Sequence, residues 1–257
     1  MERITARTNE KIKYAASLLS ASGRAAHGEF LAEGARLCAD AAQSGVKITR
    51  AFFTGQALGK YASYINHILE VCGECYEITP EVAEKLSDTK VNQGVFAVCH
   101  IQESENSFSY GGKYILVENL QDPSNLGAIC RSIEALGLDG IIVCGGCDIY
   151  NPKALRSSMG SAFRINIFNT ADTVSFLQDA KQNGMKTFAA VLDKDSTDIR
   201  DADFSSGVIC CVGNEGNGLS KEAADACGFK IKIPMKGKAE SLNASAAAAI
   251  LAWETVR

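Results

Sequence analysis

From residue 113 onward the chain alternates short apolar runs with helical patterns, and that alternation constrains the fold more than any other feature. Candidate strands lie at 114–118, 140–144, 165–168, 186–191, 208–212 and 230–233. Helical patterns separate them at 126–136, 152–159, 171–183 and 219–227, and a final helix runs from Ser241 to the end. Short strands that are apolar on both faces need cover on both faces, and helical connections supply it in a mostly parallel sheet. Ligands in such sheets bind beyond the carboxyl ends of the strands. The segments that directly follow a strand are therefore where chemistry is to be sought.

The first hundred residues show a looser α/β rhythm. A helical pattern covers about 9–20, with Ile12, Ala15, Ala16 and Leu19 on one face; a second covers 29–43, with Phe30, Leu31, Leu37 and Ala41 as its stripe. A strand at 47–53, a helix at 58–69 and a strand at 75–78 follow. Thr79-Pro80 then opens a short helix to Leu86, a capping residue followed by proline at the first helical position. Residues 95–100 close the pattern as a strand. The stretch 102–112 is polar and ends in paired glycines, which is linker composition. The expected division is a small α/β domain over 1–101, a linker over 102–112 and a larger α/β domain over 113–257.

Charge and cysteine content narrow the classes. A formal net charge of −4 lacks the basic excess common among nucleic-acid binders, although a local basic patch suffices for an enzyme that turns its substrate over. The charged N-terminus has no apolar signal core, and no run of about 18 apolar residues exists, so a cytoplasmic protein is expected. Ten cysteines in such a chain read as buried free thiols. Cys72–Cys75 and Cys144–Cys147 have paired spacing, but the pairs stand much further apart than the ~15–20 residues of a zinc ribbon. No metal is expected.

Three segments begin just after a strand. In Glu118-Asn-Leu-Gln-Asp-Pro-Ser-Asn-Leu-Gly-Ala-Ile-Cys-Arg131, Asp122-Pro123 turns the chain and a helix opens near Asn125, which is read as its cap. Arg131 then sits behind a helix N-terminus, a place suited to a phosphate or an anionic oxygen; a capped helix with a surface arginine is the plainer reading. In Val212-Gly-Asn-Glu-Gly-Asn-Gly-Leu-Ser220, three glycines let a ligand touch the backbone. Their spacing is not that of the dinucleotide fingerprint, and the next strand lacks the ribose-binding acid, which weakens a nicotinamide oxidoreductase. In Ile233-Pro-Met-Lys-Gly-Lys-Ala-Glu-Ser-Leu-Asn-Ala-Ser245, Ser241 is read as the cap of a buried last helix, and Asn243 is an unfavourable residue for a helical turn unless it has a task.

Together the three segments resemble the signature of the SpoU (TrmH-like) methyltransferases. Asp122, Pro123, Asn125, Gly127 and Arg131 match a D-P-x-N-x-G-x-x-x-R motif. Gly213, Glu215, Gly218 and Leu219 match G-x-E-x-x-G-L, and Ile233, Pro234, Met235, Gly237, Ser241, Leu242, Asn243 and Ser245 match I-P-M-x-G…S-L-N-x-S. The stretch 151–160 resembles the family's loop between the first two motifs, while 30–34 and 86–94 resemble its small substrate-binding domain. Ala244, where the family has valine, and Lys90-Val91-Asn92 are departures.

The resemblance implies an α/β fold with a C-terminal parallel-sheet SPOUT domain containing a trefoil knot, an exception to the rule against knots. It implies transfer of a methyl group from S-adenosylmethionine to a ribose 2′-hydroxyl of RNA, and an active site formed in a homodimer. Gly213, Asn214, Glu215, Gly218, Ile233, Met235, Ser241, Leu242 and Asn243 would contact the donor. Arg131 would bind phosphate and stabilise the developing alkoxide, since a guanidinium keeps its proton. Asn125 would fix the ribose, Glu215 and Asn243 would orient the first loop, and Ser241 would brace the donor loop. The N-terminal domain favours ribosomal over transfer RNA by analogy. Transfer-RNA methylation and a non-catalytic role in RNA binding or ribosome assembly stay open as alternatives.

Overall fold

A computed structural model describes residues 1–102 and 107–257; residues 103–106 of the expected linker lie outside the described residues. In chain order the elements are β1 (Glu2–Ile4), α1 (Glu10–Ser17), α2 (Ala21–His27), β2 (Glu29–Glu33), α3 (Ala35–Gln43), β3 (Ile48–Thr54), α4 (Gly55–Lys60), α5 (Ala62–Val71), β4 (Cys75–Ile78), α6 (Pro80–Leu86) and β5 (Val95–His100). There follow β6 (Lys113–Glu118), α7 (Pro123–Leu136), β7 (Gly140–Cys144), α8 (Pro152–Ser158), β8 (Asn166–Thr170), α9 (Thr173–Gln182), β9 (Lys186–Ala190), β10 (Thr197–Asp198), β11 (Val208–Val212), α10 (Lys221–Ala226), β12 (Phe229–Lys232) and α11 (Ala244–Val256).

The chain forms two compact units. One comprises the residues before the linker together with Asp148–Phe163; the other comprises the residues after the linker to Cys147 and then Arg164–Arg257. The first unit holds a five-stranded mixed sheet, ordered β1-β4-β3-β5-β2, in which β5 pairs antiparallel with both β3 and β2. Its core gathers Ile12, Leu18, Leu31, Phe52, Tyr76, Val82, Leu86 and Phe96. The excursion 148–163 packs here: Tyr150 and Phe163 stack on Phe30, and Asp148 takes a 2.6 Å bond from Nε of the buried Arg24.

Two expectations fail in this unit. Residues 29–33 are not helical but form β2, every residue of it buried, and the helix begins only at Ala35. Gly34, at a φ of 109° that only glycine adopts with ease, separates the two. The apolar stripe read through 29–43 is thus a buried strand followed by a helix. Likewise the single helix expected at 58–69 is two, α4 and α5, meeting at Tyr61, and β1 and α2 were not foreseen.

The second unit holds seven parallel strands ordered β10-β12-β9-β11-β6-β7-β8. Its central strands are buried throughout: Gly140–Cys144 and Val208–Val212 carry no exposed residue, as sheets covered on both faces require. β6 is the point where the order reverses. Strands β7 and β8 extend to one side of it and β11, β9, β12 and β10 to the other, which opens a crevice at the carboxyl ends.

Candidate active site

Each of the three motif segments leaves the carboxyl end of a strand in the second unit, at that crevice. After β6 the chain turns at Asp122, whose side chain caps α7 by accepting from Ser124 N at 2.9 Å; Pro123 takes the first helical position. The cap is therefore Asp122, and the expectation that Asn125 caps this helix is corrected. Being one turn inside frees the Asn125 carboxamide for another task. Arg131 lies two turns along α7, exposed, and among the described residues no hydrogen bond or ion pair reaches its guanidinium.

After β11 the chain makes a tight loop over 213–218. Backbone bonds run both ways between Asn214 and Gly218, at 3.1 and 3.0 Å. The Asn214 side-chain oxygen accepts from Gly216 N and Asn217 N at 2.9 and 2.7 Å, so that residue shapes the loop from within. A Cβ on Gly213 would stand 1.9 Å from the backbone of Gly218 and Leu219, so no other residue permits this closure.

Glu215 projects back from that loop to the first segment. Its carboxylate accepts from Gln121 N at 3.1 Å, Asp122 N at 3.2 Å and Asn125 Nδ2 at 2.7 Å. Burial works to raise its pKa, but the bonds from Asn125 and the loop amides outweigh it and hold the carboxyl below its ordinary value. Asn125 Oδ1 in turn accepts from Asn243 Nδ2 at 3.0 Å. Asn243, not Ser241, caps α11, its Oδ1 accepting from Ser245 N and Ala246 N. The chain Glu215–Asn125–Asn243 thus joins all three motif segments through side chains alone.

A second carboxylate does the reverse. Glu118, buried at the end of β6, accepts from Ser220 N at 2.8 Å and Ser220 Oγ at 3.0 Å. The two loops are latched at both ends, Glu215 reaching one way and Glu118 the other. Neither Glu118 nor Ser220 was singled out from the sequence. An acid closing the otherwise apolar run Tyr114–Val117 was the available signal.

Beside the latch lies a cavity of about 570 Å³. Of the nine residues expected to contact a donor, Gly213, Asn214, Glu215, Gly218, Ile233, Met235, Ser241 and Leu242 line it, and Asn243 sits between two lining residues, Leu242 and Ala244. Arg131 and Asn125 do not line it. Val191, Leu192 and Asp193, which follow β9, line it without having been foreseen. The last helix is also less buried than expected, since Trp253 is 55% exposed. All ten cysteines are free, and among the described residues no group of three or more His, Cys, Asp or Glu could hold a metal.

Strand-end loops of a parallel sheet, cross-tied beside a cavity, are the arrangement that the sequence resemblance to the SPOUT methyltransferases implies. The chain belongs to the SpoU rRNA methylase family, whose model matches residues 112–253; an MRM3-like substrate binding domain matches 9–97. It is 30% identical over 254 residues, 98% of each chain, to the 23S rRNA (guanosine(2553)-2′-O)-methyltransferase RlmP of Bacillus subtilis. Over 265 residues it is 29% identical to the 23S rRNA (uridine(2479)-2′-O)-methyltransferase of Streptomyces viridochromogenes, covering 99% of this chain and 92% of that one. Among solved structures, the AdoMet-bound rRNA methyltransferase of Sinorhizobium meliloti is similar with a TM-score of 0.85 at 29% identity, covering 99% of this chain and 97% of that one. The S. viridochromogenes SpoU methyltransferase AviRb in complex with AdoMet matches with a TM-score of 0.84 at 26% identity, covering 96% and 97%.

The cavity fits that cofactor. Its volume falls in the ~300–1,000 Å³ range of small-ligand sites. Val191, Leu192, Ile231, Ile233 and Leu242 offer apolar walls to a flat purine, and Asp193, Asn217 and Ser241 offer polar groups to hydroxyl, ammonium and carboxylate functions. Among the described residues no helix is long and apolar enough to cross a membrane.

Proposed function

We propose that this chain methylates a ribose 2′-hydroxyl of ribosomal RNA with S-adenosylmethionine as donor. The observation that carries the proposal is the side-chain relay from Glu215 through Asn125 to Asn243, which ties the segment bearing Arg131 to the loops that wall the cavity. The bound donor supplies an electrophilic methyl group, so the protein's share of the work is positioning and handling charge on the acceptor oxygen.

In this reading Ile233 and Leu242 grip the adenine, and Ser241 with the 213–218 loop holds the polar end of the donor. Arg131 binds the phosphate beside the target ribose and stabilises negative charge as it grows on the 2′-oxygen. It does not act as the base, because a guanidinium keeps its proton. Asn125 fixes the ribose; Glu215 and Asn243 hold Asn125 in place and act through it.

Residues 1–101 serve as the RNA-binding domain and 113–257 as the knotted catalytic domain of a cytoplasmic enzyme. The active unit is a homodimer. Arg131 is bare on α7, and α11, which packs on α7, shows Trp253 and Val256 to solvent; both features suit a face covered by a second copy. Ribosomal rather than transfer RNA is favoured by the activities named for the full-length relatives.

The test maps 2′-O-methylation across ribosomal and transfer RNA from cells with and without the gene, and then repeats the reaction with purified protein on the unmodified RNA. A ribosomal site that disappears with the gene and returns with the protein is the expected result. Loss confined to transfer RNA, or donor binding with no methyl transfer to any RNA, rejects it.

A further inference from the structure

We propose that Glu118 is a positioning residue of the donor site, acting through Ser220 to fix the far end of the loop that walls the cavity. The role rests on the reading of that cavity as an S-adenosylmethionine site, and it gives work to a buried acid that the chemistry above leaves unused. A carboxylate taken out of water is costly unless hydrogen bonds replace its hydration, and as a mere stabiliser an apolar side chain of similar size does as well. Glu118 is 7% exposed and closes the otherwise apolar run of β6. Among the described residues both bonds that satisfy its side chain come from one residue: Ser220 N donates to Oε2 at 2.8 Å and Ser220 Oγ to Oε1 at 3.0 Å. Two bonds to one residue fix where that residue stands, which the burial of an apolar group does not do.

The surroundings show which partner is the post and which is held. Glu118 ends a central strand, in register with Cys144 of β7. The residues after it are pinned to the turn that follows β7: Asn119 N donates to Cys144 O and Cys147 N to Leu120 O, each at 2.8 Å. Ser220 stands in a different position, as the residue next after an unbroken stretch of cavity wall from Val212 to Leu219. Glu215 ties that stretch near its middle, through Gln121, Asp122 and Asn125. Held there alone, the wall would be free to pivot; the tie from Ser220 to Glu118 removes the pivot. Ser220 also caps α10, its Oγ accepting from Ala223 N at 3.2 Å, so one hydroxyl joins post, wall and helix. A binding wall has to be held to within about 0.5 Å by supports of this kind if it is to match its ligand.

The test measures S-adenosylmethionine affinity by calorimetry, and Tm, for wild type, Glu118→Leu, Glu118→Gln, Ser220→Ala and Asp172→Ala. Glu118→Leu keeps the bulk and removes both acceptors, so the donor Kd should rise roughly tenfold or more, the effect of leaving a buried partner unbonded. Glu118→Gln should bring affinity back close to wild type, because its oxygen accepts from Ser220 N and its amide donates to Ser220 Oγ. Ser220→Ala removes the hydroxyl tie and a helix cap and should also weaken the donor; it decides the matter if Glu118→Leu does not fold. Asp172→Ala loses a cap in the same unit away from the cavity, that of α9, where Asp172 accepts from Ser175 N at 3.1 Å. Its Tm should fall with donor affinity unmoved. Wild-type Kd in Glu118→Leu, or in Ser220→Ala where the first does not fold, overturns the positioning role and leaves the donor site standing. Equal weakening by Asp172→Ala, or no recovery in Glu118→Gln, overturns it too, since the effect would then lie in general stability or in charge rather than in the bonds. A wild-type protein that binds no S-adenosylmethionine overturns both readings.

Discussion

Arg131 and Glu215 are both charged and exposed, yet the structure gives them opposite circumstances. Arg131 has no partner within its chain among the described residues, whereas Glu215 has three. An arginine that braced the fold would be tied down, so its removal should cost chemistry rather than architecture. Arg131→Ala is expected to lower kcat by ~10²–10³, the cost of removing one donor aimed at developing charge, with donor affinity by calorimetry preserved; equal loss of both refutes the assignment. For Glu215 the lowered pKa sets a pH window. Its folded pKa lies below the ordinary carboxylate value of ~4.3, so its contribution is complete above that value and is lost as pH falls through the lowered one. Donor affinity should hold level from neutral pH to near the ordinary carboxylate value and then fall. Glu215→Gln should bind donor more weakly at neutral pH and lack that acid limb, and an unchanged acid limb in the variant would place its origin elsewhere.

At the scale of elements, Asn243 does two jobs that substitution can separate. Its Oδ1 caps α11 and its Nδ2 reaches Asn125. Asn243→Asp keeps an acceptor for the cap and discards the donor, so Tm should hold while turnover drops. Asn243→Ala should lose both, with ~0.5–2 kcal/mol of stability from the cap. Equal activity in Asp and wild type would show that the relay is not used. The sequence was most legible where a strand is apolar on both faces or a helix has a strong start signal. β4, β7 and β11 lie at their expected bounds, as does α6 behind its Thr79 cap. It was least legible where tertiary bonds decide. β2 contains Glu29 and Glu33, two acids that are buried only because Tyr14, Thr49, Ser87 and Thr89 donate to them, and no local pattern announces such partners. The same limit explains the caps. Asp122, Asn125, Ser241 and Asn243 are all plausible helix openers by type, and only the completed relay decides which of them caps and which bonds across.

For the whole molecule, the cavity and Arg131 are the two halves of the proposed chemistry, and Arg131 does not line the cavity. A homodimer in which each site takes its cavity from one copy and Arg131 from the other reconciles the two. Symmetry then makes a sharp prediction, because a two-fold interface repeats the same arrangement twice. Arg131→Ala and Leu242→Glu should each inactivate the pure dimer, the first by removing charge stabilisation and the second by placing an acid against the donor. In a mixed dimer both lesions fall in one site and the other site is intact. Equal mixing makes half the dimers mixed, each with one of two sites restored, so on the order of a quarter of wild-type turnover should return. Methyl transfer by the unfractionated mixture measures it, and dimers isolated through both tags, all of them mixed, should return about half on the same count. Full inactivity of mixed dimers, with both tags present and donor still bound by the Arg131→Ala copy, would mean that each chain carries its own complete site and that Arg131 must reach the cavity by a movement within one subunit.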